Sequence, residues 1–189
     1  MMSISNLISD TIGMTLCLAA WVQANANSEI PVNVMLVGHS LGGAVVVRSA
    51  ECYLADHANH QLINIVGVTV VDIVEGTAMS SLKMLPALLK SRPSQFGSVD
   101  EAVQWTLSAG MCNNPASAAL SVPSMLCRAD RGQKIFTWRT DILRTAPFWE
   151  GWYRGLSGAF LALPSSVGKM LVLASTDRLD KPLTIGHMQ

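Results

Sequence analysis

Charge is scarce in this chain. Only 14% of its 189 residues are Asp, Glu, Lys or Arg, against roughly a quarter in an average soluble domain. Thirteen basic residues cancel thirteen acidic ones. Without a net field, a general binder of nucleic acid or anionic membrane is not expected. Half of the residues are hydrophobic, which excludes an intrinsically disordered chain, since disorder needs low hydrophobicity and high net charge. A long apolar run is lacking too. The run from Gly13 to Val22 is about ten residues, where a membrane span needs roughly 20. No basic residue precedes Arg48, so the charged start of a signal peptide is missing. Cys17, Cys52, Cys112 and Cys127 share no metal-like or redox spacing. They read as buried thiols of a reducing compartment, which makes cytoplasm or nucleus the expected location.

Repeats, low-complexity tracts and Gly/Ser linkers are also absent. What is present alternates helical and strand patterns. Apolar spacing from Asp10 to Asn25 predicts a helix, ended by Asn25 to Ser28 and Pro31. Val32 to Val37 is a short apolar run closed by Gly38 and reads as a buried strand. Leu41 to Ala55 reads as a helix. Ile63 to Val71 is a near-continuous β-branched run, the pattern of a parallel strand covered on both faces. From Thr77 to Pro164 the chain reads as mostly helical, with helices expected at 79–90, 99–110, 116–126 and 148–163. Lys169 to Ala174 makes a third strand. The order predicts an α/β fold with a central parallel sheet and a helical insertion over about 77–164. Three strands leave both sheet edges open. The expectation is therefore a partial domain, missing upstream strands and a last strand.

Gly38-His39-Ser40-Leu41-Gly42 has the form G-x-S-x-G. It follows a predicted strand and opens a predicted helix, as a nucleophile elbow requires. The serine of an elbow sits on a tight turn, so Gly38 and Gly42 are expected to lack side chains for steric reasons. The Ser40 hydroxyl would then project above the sheet, with the helix N-terminus and the Leu41 backbone N–H facing developing negative charge. A second oxyanion donor comes in such folds from an upstream loop, and none precedes Gly38 here.

A triad also needs an acid and a base. Asp72 follows the second strand and opens on the same rim as Ser40. Asp177 follows the third strand and competes with it on topology alone. Of the four histidines, His39 adjoins the nucleophile with its ring directed elsewhere. His57 and His60 lie beyond a helix of about 15 residues, so roughly 20 Å from Ser40. His187 sits in the connection after the third strand. In this chain order the base follows the acid after one further strand, so it is expected outside the chain. The 189 residues alone are then expected to be inactive.

Several segments together resemble the protein phosphatase methylesterase family of α/β-hydrolases. They are the run Val34 to Gly43, then Val71-Asp-Ile-Val-Glu-Gly-Thr-Ala-Met79, Arg92 to Phe96 and Glu101 to Trp105. Thr137-Trp-Arg139, Trp149 to Ser157 and Asp177-Arg-Leu-Asp-Lys-Pro-Leu-Thr-Ile-Gly186 complete the match, which runs from about Asp10 to Gln189. The resemblance implies a serine esterase that removes the methyl ester from the C-terminal leucine of the protein phosphatase 2A catalytic subunit. It implies Ser40 as nucleophile and Asp72, rather than Asp177, as triad acid. It implies no metal or organic cofactor, and a catalytic histidine downstream of Gln189. The phosphatase and its C-terminal tail would be the partner. Trp149, Trp152 and Tyr153 could pack a core or dock that partner, and Arg139 and Arg154 could pair a carboxylate. The alternatives are a truncated relative that binds phosphatase without catalysis, and another α/β-hydrolase esterase.

Overall fold

Two apolar runs that alternate with a glycine-opened helix dictate the centre of the fold. The computed structural model describes residues 4–26, 30–55, 63–129, 134–173, 183 and 185–186. In chain order its elements are α1 (Ile4–Ala26), β1 (Val32–His39), α2 (Leu41–Ala55), β2 (Ile63–Val71), α3 (Glu75–Leu82) and α4 (Leu85–Lys90). Then come β3 (Gln95–Phe96), α5 (Val99–Ser108), α6 (Pro115–Ser121), β4 (Leu126–Arg128) and β5 (Phe136–Trp138). α7 (Trp149–Tyr153), α8 (Leu156–Ala162) and β6 (Gly168–Val172) follow. Two 3-10 helices, Val122–Met125 and Ile142–Phe148, connect them. The chain divides into two compact units, one of residues 1–84 with 147–189, the other of residues 85–146. The separate unit is narrower than the expected insertion over 77–164, because α3, α7 and α8 belong with the parallel sheet.

In the first unit the strands run in the order β1-β2-β6, all parallel. Val32 pairs with Ile63 and His39 with Val71, with an irregularity after Val34. Val71 in turn pairs with Val172. Side chains repeat the register, since Asn64 Nδ2 donates to Asn33 Oδ1 at 2.9 Å. α2 buries Ala44, Val47 and Ala50 completely, and Val68 of β2 is likewise sealed. Such burial is the main stabilising term, worth about 1.5–3 kcal/mol for each large apolar side chain. The expectation that the flanking strands are buried fails in part. β1 alternates half-buried with exposed residues, and Met35, Val37, Met170 and Val172 remain 42–62% exposed. Their apolarity is real, but among the described residues only the α2 side of the sheet is covered.

The second unit, within the stretch expected to be mostly helical, also holds short strands. It holds an antiparallel sheet in the order β3-β5-β4. Phe96, Ala102, Val103, Ala118, Val122 and Leu126 form its core. Phe96, Trp105 and Trp138 meet edge-on or tilted, with centroids 5.3–6.0 Å apart. Its helices start where capping chemistry allows. Ser98 accepts from the Glu101 N–H at 3.0 Å while the Glu101 carboxylate accepts from the Gly97 N–H, a reciprocal cap. Asn114 caps α6 with Pro115 in its first turn.

The cysteines are also corrected. All four are free, but Cys17 and Cys52 are exposed and Cys112 and Cys127 half-buried. Among the described residues no helix is long and apolar enough to cross a membrane.

Candidate active site

At the C-terminal end of β1 the chain must leave a strand and enter α2 with a single residue between them. That residue is Ser40, and it takes φ = +53°. Positive φ is unfavourable for a residue with a Cβ, costing about 1–3 kcal/mol unless its surroundings enforce it. They do so here. The Ser40 N–H donates to the Val71 carbonyl at 3.0 Å, and the Ser40 carbonyl accepts from the Gly43 N–H at 2.8 Å. Ser40 is exposed at the sheet rim, and Leu41 beside it is half-buried as the first residue of α2.

The glycines serve this turn unequally. A Cβ on Gly38 would lie 2.1 Å from the Gly42 carbonyl oxygen, so Gly38 must be glycine. A Cβ on Gly42 would meet nothing within 4 Å. The expected steric demand two residues after the serine falls instead on Gly43, where a Cβ would come within 2.5 Å of the Ile73 side chain. Gly42 contributes its backbone, which occupies the space beside Gly38.

Asp72 repeats the pattern on the next strand. It follows β2 directly, has φ = +50° and is half-buried. Its N–H donates to the Val172 carbonyl at 2.7 Å. Since His39 pairs with Val71 and Val71 with Val172, Ser40 and Asp72 occupy successive places along one rim of a parallel sheet. The two non-glycine residues with positive φ among the described residues are these two. The backbone strain thus coincides with the serine and carboxylate that the sequence singled out. Asp177, His57, His60 and His187 lie outside the described residues. His39 is the one described histidine, exposed at the end of β1. No group of three or more His, Cys, Asp or Glu among the described residues could hold a metal ion.

The other singled-out residues are engaged within the chain. Trp149, Trp152 and Tyr153 are buried, at most 8% exposed, and burial raises the Tyr153 hydroxyl above its ordinary pKa of 10.0. The Arg139 guanidinium donates to the carbonyls of Ser124 and Leu126, both at 2.9 Å. Arg154 pairs with Glu150 one helical turn away. Sequence reasoning missed Glu75, whose two carboxylate oxygens accept from the N–H groups of Gly155 and Ser157 at 2.7 and 3.1 Å. It thereby caps α8 from 80 residues away in sequence. A glutamate flanked by glycine carries no separate signal of that role.

A rim of parallel strands with a strained serine between strand and helix is α/β-hydrolase geometry. The model of the alpha/beta hydrolase family matches residues 10–189, and the chain belongs to that family. Within it, the chain is similar to proteins named protein phosphatase methylesterase 1. The one from Yarrowia lipolytica is 42% identical over 90% of this chain and 39% of its own length. That from Schizosaccharomyces pombe is 43% identical over 85% of this chain and 44% of its own. The mouse protein is 32% identical, over 85% and 50% respectively. The chain therefore spans half or less of the length of these relatives. Among solved structures, E-2-(acetamidomethylene)succinate hydrolase shares the fold with a TM-score of 0.62 at 15% identity. The alignment covers 98% of this chain and 72% of that one. An esterase from Mycobacterium tuberculosis shares it at 0.54 and 24% identity, covering 91% and 53%.

Proposed function

We propose that this chain supplies the nucleophile and the triad acid of a serine carboxylic-ester hydrolase acting on protein phosphatase. Its substrate would be the methyl ester on the C-terminal leucine of the protein phosphatase 2A catalytic subunit, in cytoplasm or nucleus. The observation that carries this reading is the shared rim position of Ser40 and Asp72, each in positive-φ backbone. Similarity to proteins named protein phosphatase methylesterase 1 supports the substrate class.

In this reading the Ser40 Oγ attacks the ester carbonyl as its proton passes to a histidine base. The Leu41 N–H and the N-terminus of α2 stabilise the oxyanion. The base returns the proton to the methoxy oxygen and methanol leaves. Water, deprotonated by the same base, then attacks the acyl-serine, which releases the free C-terminal carboxylate and restores Ser40. Asp72 holds the base in orientation and stabilises its charged form. No described residue fills the role of that base. His39 shares its strand face with Val37 rather than following Ser40 onto the rim.

The test uses the native protein carrying these residues and a peptide ending in leucine methyl ester. Mass spectrometry should record loss of the methyl group, and Ser40→Ala should reduce the rate by about 10³-fold or more. Undiminished turnover in that variant would remove Ser40 from the role. Turnover of short acyl esters without the methylated peptide would leave an esterase but overturn the phosphatase substrate.

A further inference from the structure

The second unit carries a cavity of about 310 Å3 that the ester chemistry does not use. Parts of two segments that matched the family pattern without a role, Arg92 to Ser94 and Thr137 with Trp138, contribute to its walls. Trp138 is among the residues that line it. The indole Nε1–H donates to the Pro93 carbonyl at 2.7 Å, which fixes the ring. The Arg92 guanidinium lies over that ring, with Cζ 3.7 Å from the centroid. Stacking of this kind orients a guanidinium without neutralising it.

Arg92 has no anionic partner among the described residues. Its Nε is buried with no hydrogen-bond partner, and burial lowers the guanidinium pKa from its ordinary value. A partly desolvated cation is costly unless an anion meets it. Arg139, next to Trp138 in sequence, shows the contrast, since Nε and one Nη donate to backbone carbonyls. Lys90 adds a second positive charge to the walls and Asp141 a negative one, which leaves a net charge of one. Leu89, Ile142 and Leu143 make part of the lining apolar.

We propose that this cavity binds an acidic peptide segment, with a Glu or Asp side chain meeting the Arg92 fork and a neighbouring apolar side chain against Leu89 and Ile142. A carboxylate matches the planar fork with two parallel hydrogen bonds. The single net charge suits a monoanion better than a phosphate dianion, which Asp141 repels. The site lies within residues 85–146 and does not rest on Ser40 being a nucleophile.

The test is titration of the full chain with acetyl-Glu-Leu-amide, followed by the NMR signal of the Trp138 indole N–H, assigned by Trp138→Phe. The Glu peptide should shift that signal saturably, and acetyl-Gln-Leu-amide should bind at least about tenfold more weakly. Arg92→Met, which keeps the stem, should weaken the Glu peptide by about tenfold or more, with Arg92→Lys in between. Asp141→Asn should tighten it by about two- to threefold, a gain that a merely structural role would not produce. Equal binding of the Gln peptide, unchanged affinity in Arg92→Met, or no saturable shift in the unaltered chain would each overturn the proposal. Acetate or inorganic phosphate binding as tightly as the peptide would overturn the peptide as occupant and leave a free-anion site.

Discussion

Ser40 and Gly38 share one turn, yet its backbone makes opposite demands on them. Ser40 keeps its side chain at a positive φ of 53°, whereas Gly38 has no room for one. Gly38→Ala should therefore destabilise the fold by several kcal/mol, since the blocking atom is backbone. Gly42→Ala should be neutral or stabilise by up to about 0.5–1 kcal/mol, because its Cβ meets nothing and α2 gains helix propensity. Denaturant midpoints of the two variants would check this pair. The pattern G-x-S-x-G located the turn but not which glycine is obligatory, because that depends on where the strand before it is pinned. At Tyr153 burial raises the folded pKa above 10.0. The folded state then holds its proton after the unfolded state has lost it, so stability is full below about pH 10 and falls as pH rises through the folded value. Tyr153→Phe should remove that alkaline fall while leaving the pH dependence below about pH 9 unchanged, read from urea midpoints across pH 8–11.

Elements were legible where their patterns were long. α2 and β2 occupy the spans their periodicity predicts, Leu41–Ala55 and Ile63–Val71. β3, β4 and β5 have only two or three residues each, too few for an alternation to register. The helix expected over 116–126 stops at Ser121, because Pro123 lies in a 3-10 turn that feeds β4. The one expected over 148–163 breaks at Gly155, whose φ of +73° ends α7 and begins α8. The broken end is where Glu75 matters. Its carboxylate satisfies two N–H groups that α8 cannot bond internally. Glu75→Gln should cost about 1 kcal/mol and Glu75→Ala about 1–3 kcal/mol. Thermal unfolding would show the order, and loss in the alanine variant no greater than in the glutamine variant would argue against the cap.

For the whole molecule, the sheet face left uncovered among the described residues has the larger effect. Met35 and Val37 on β1 and Met170 and Val172 on β6 are exposed apolar side chains, of the kind that drives association when they gather on one face. Val37→Thr with Met170→Thr should lower the binding of a hydrophobic dye by this chain without lowering its unfolding midpoint by more than about 1 kcal/mol. Unchanged dye fluorescence would place the sticky surface elsewhere. Sequence composition announced the apolar strands but not which face would be bare, since that is decided by what packs on them.

The strand order also sets a timetable for synthesis. Gly67 pairs with Gly168, so β2 waits for about a hundred further residues before its second neighbour exists. Bacterial and eukaryotic ribosomes add about 5–20 residues per second, which makes the wait about 5–20 s. During that interval one edge of β2 offers unpaired N–H and carbonyl groups to any passing strand. The Asp72 N–H has no Val172 carbonyl to hold it until β6 emerges. The nascent chain is thus most open to mispairing at the very rim where the serine and the carboxylate are later set side by side.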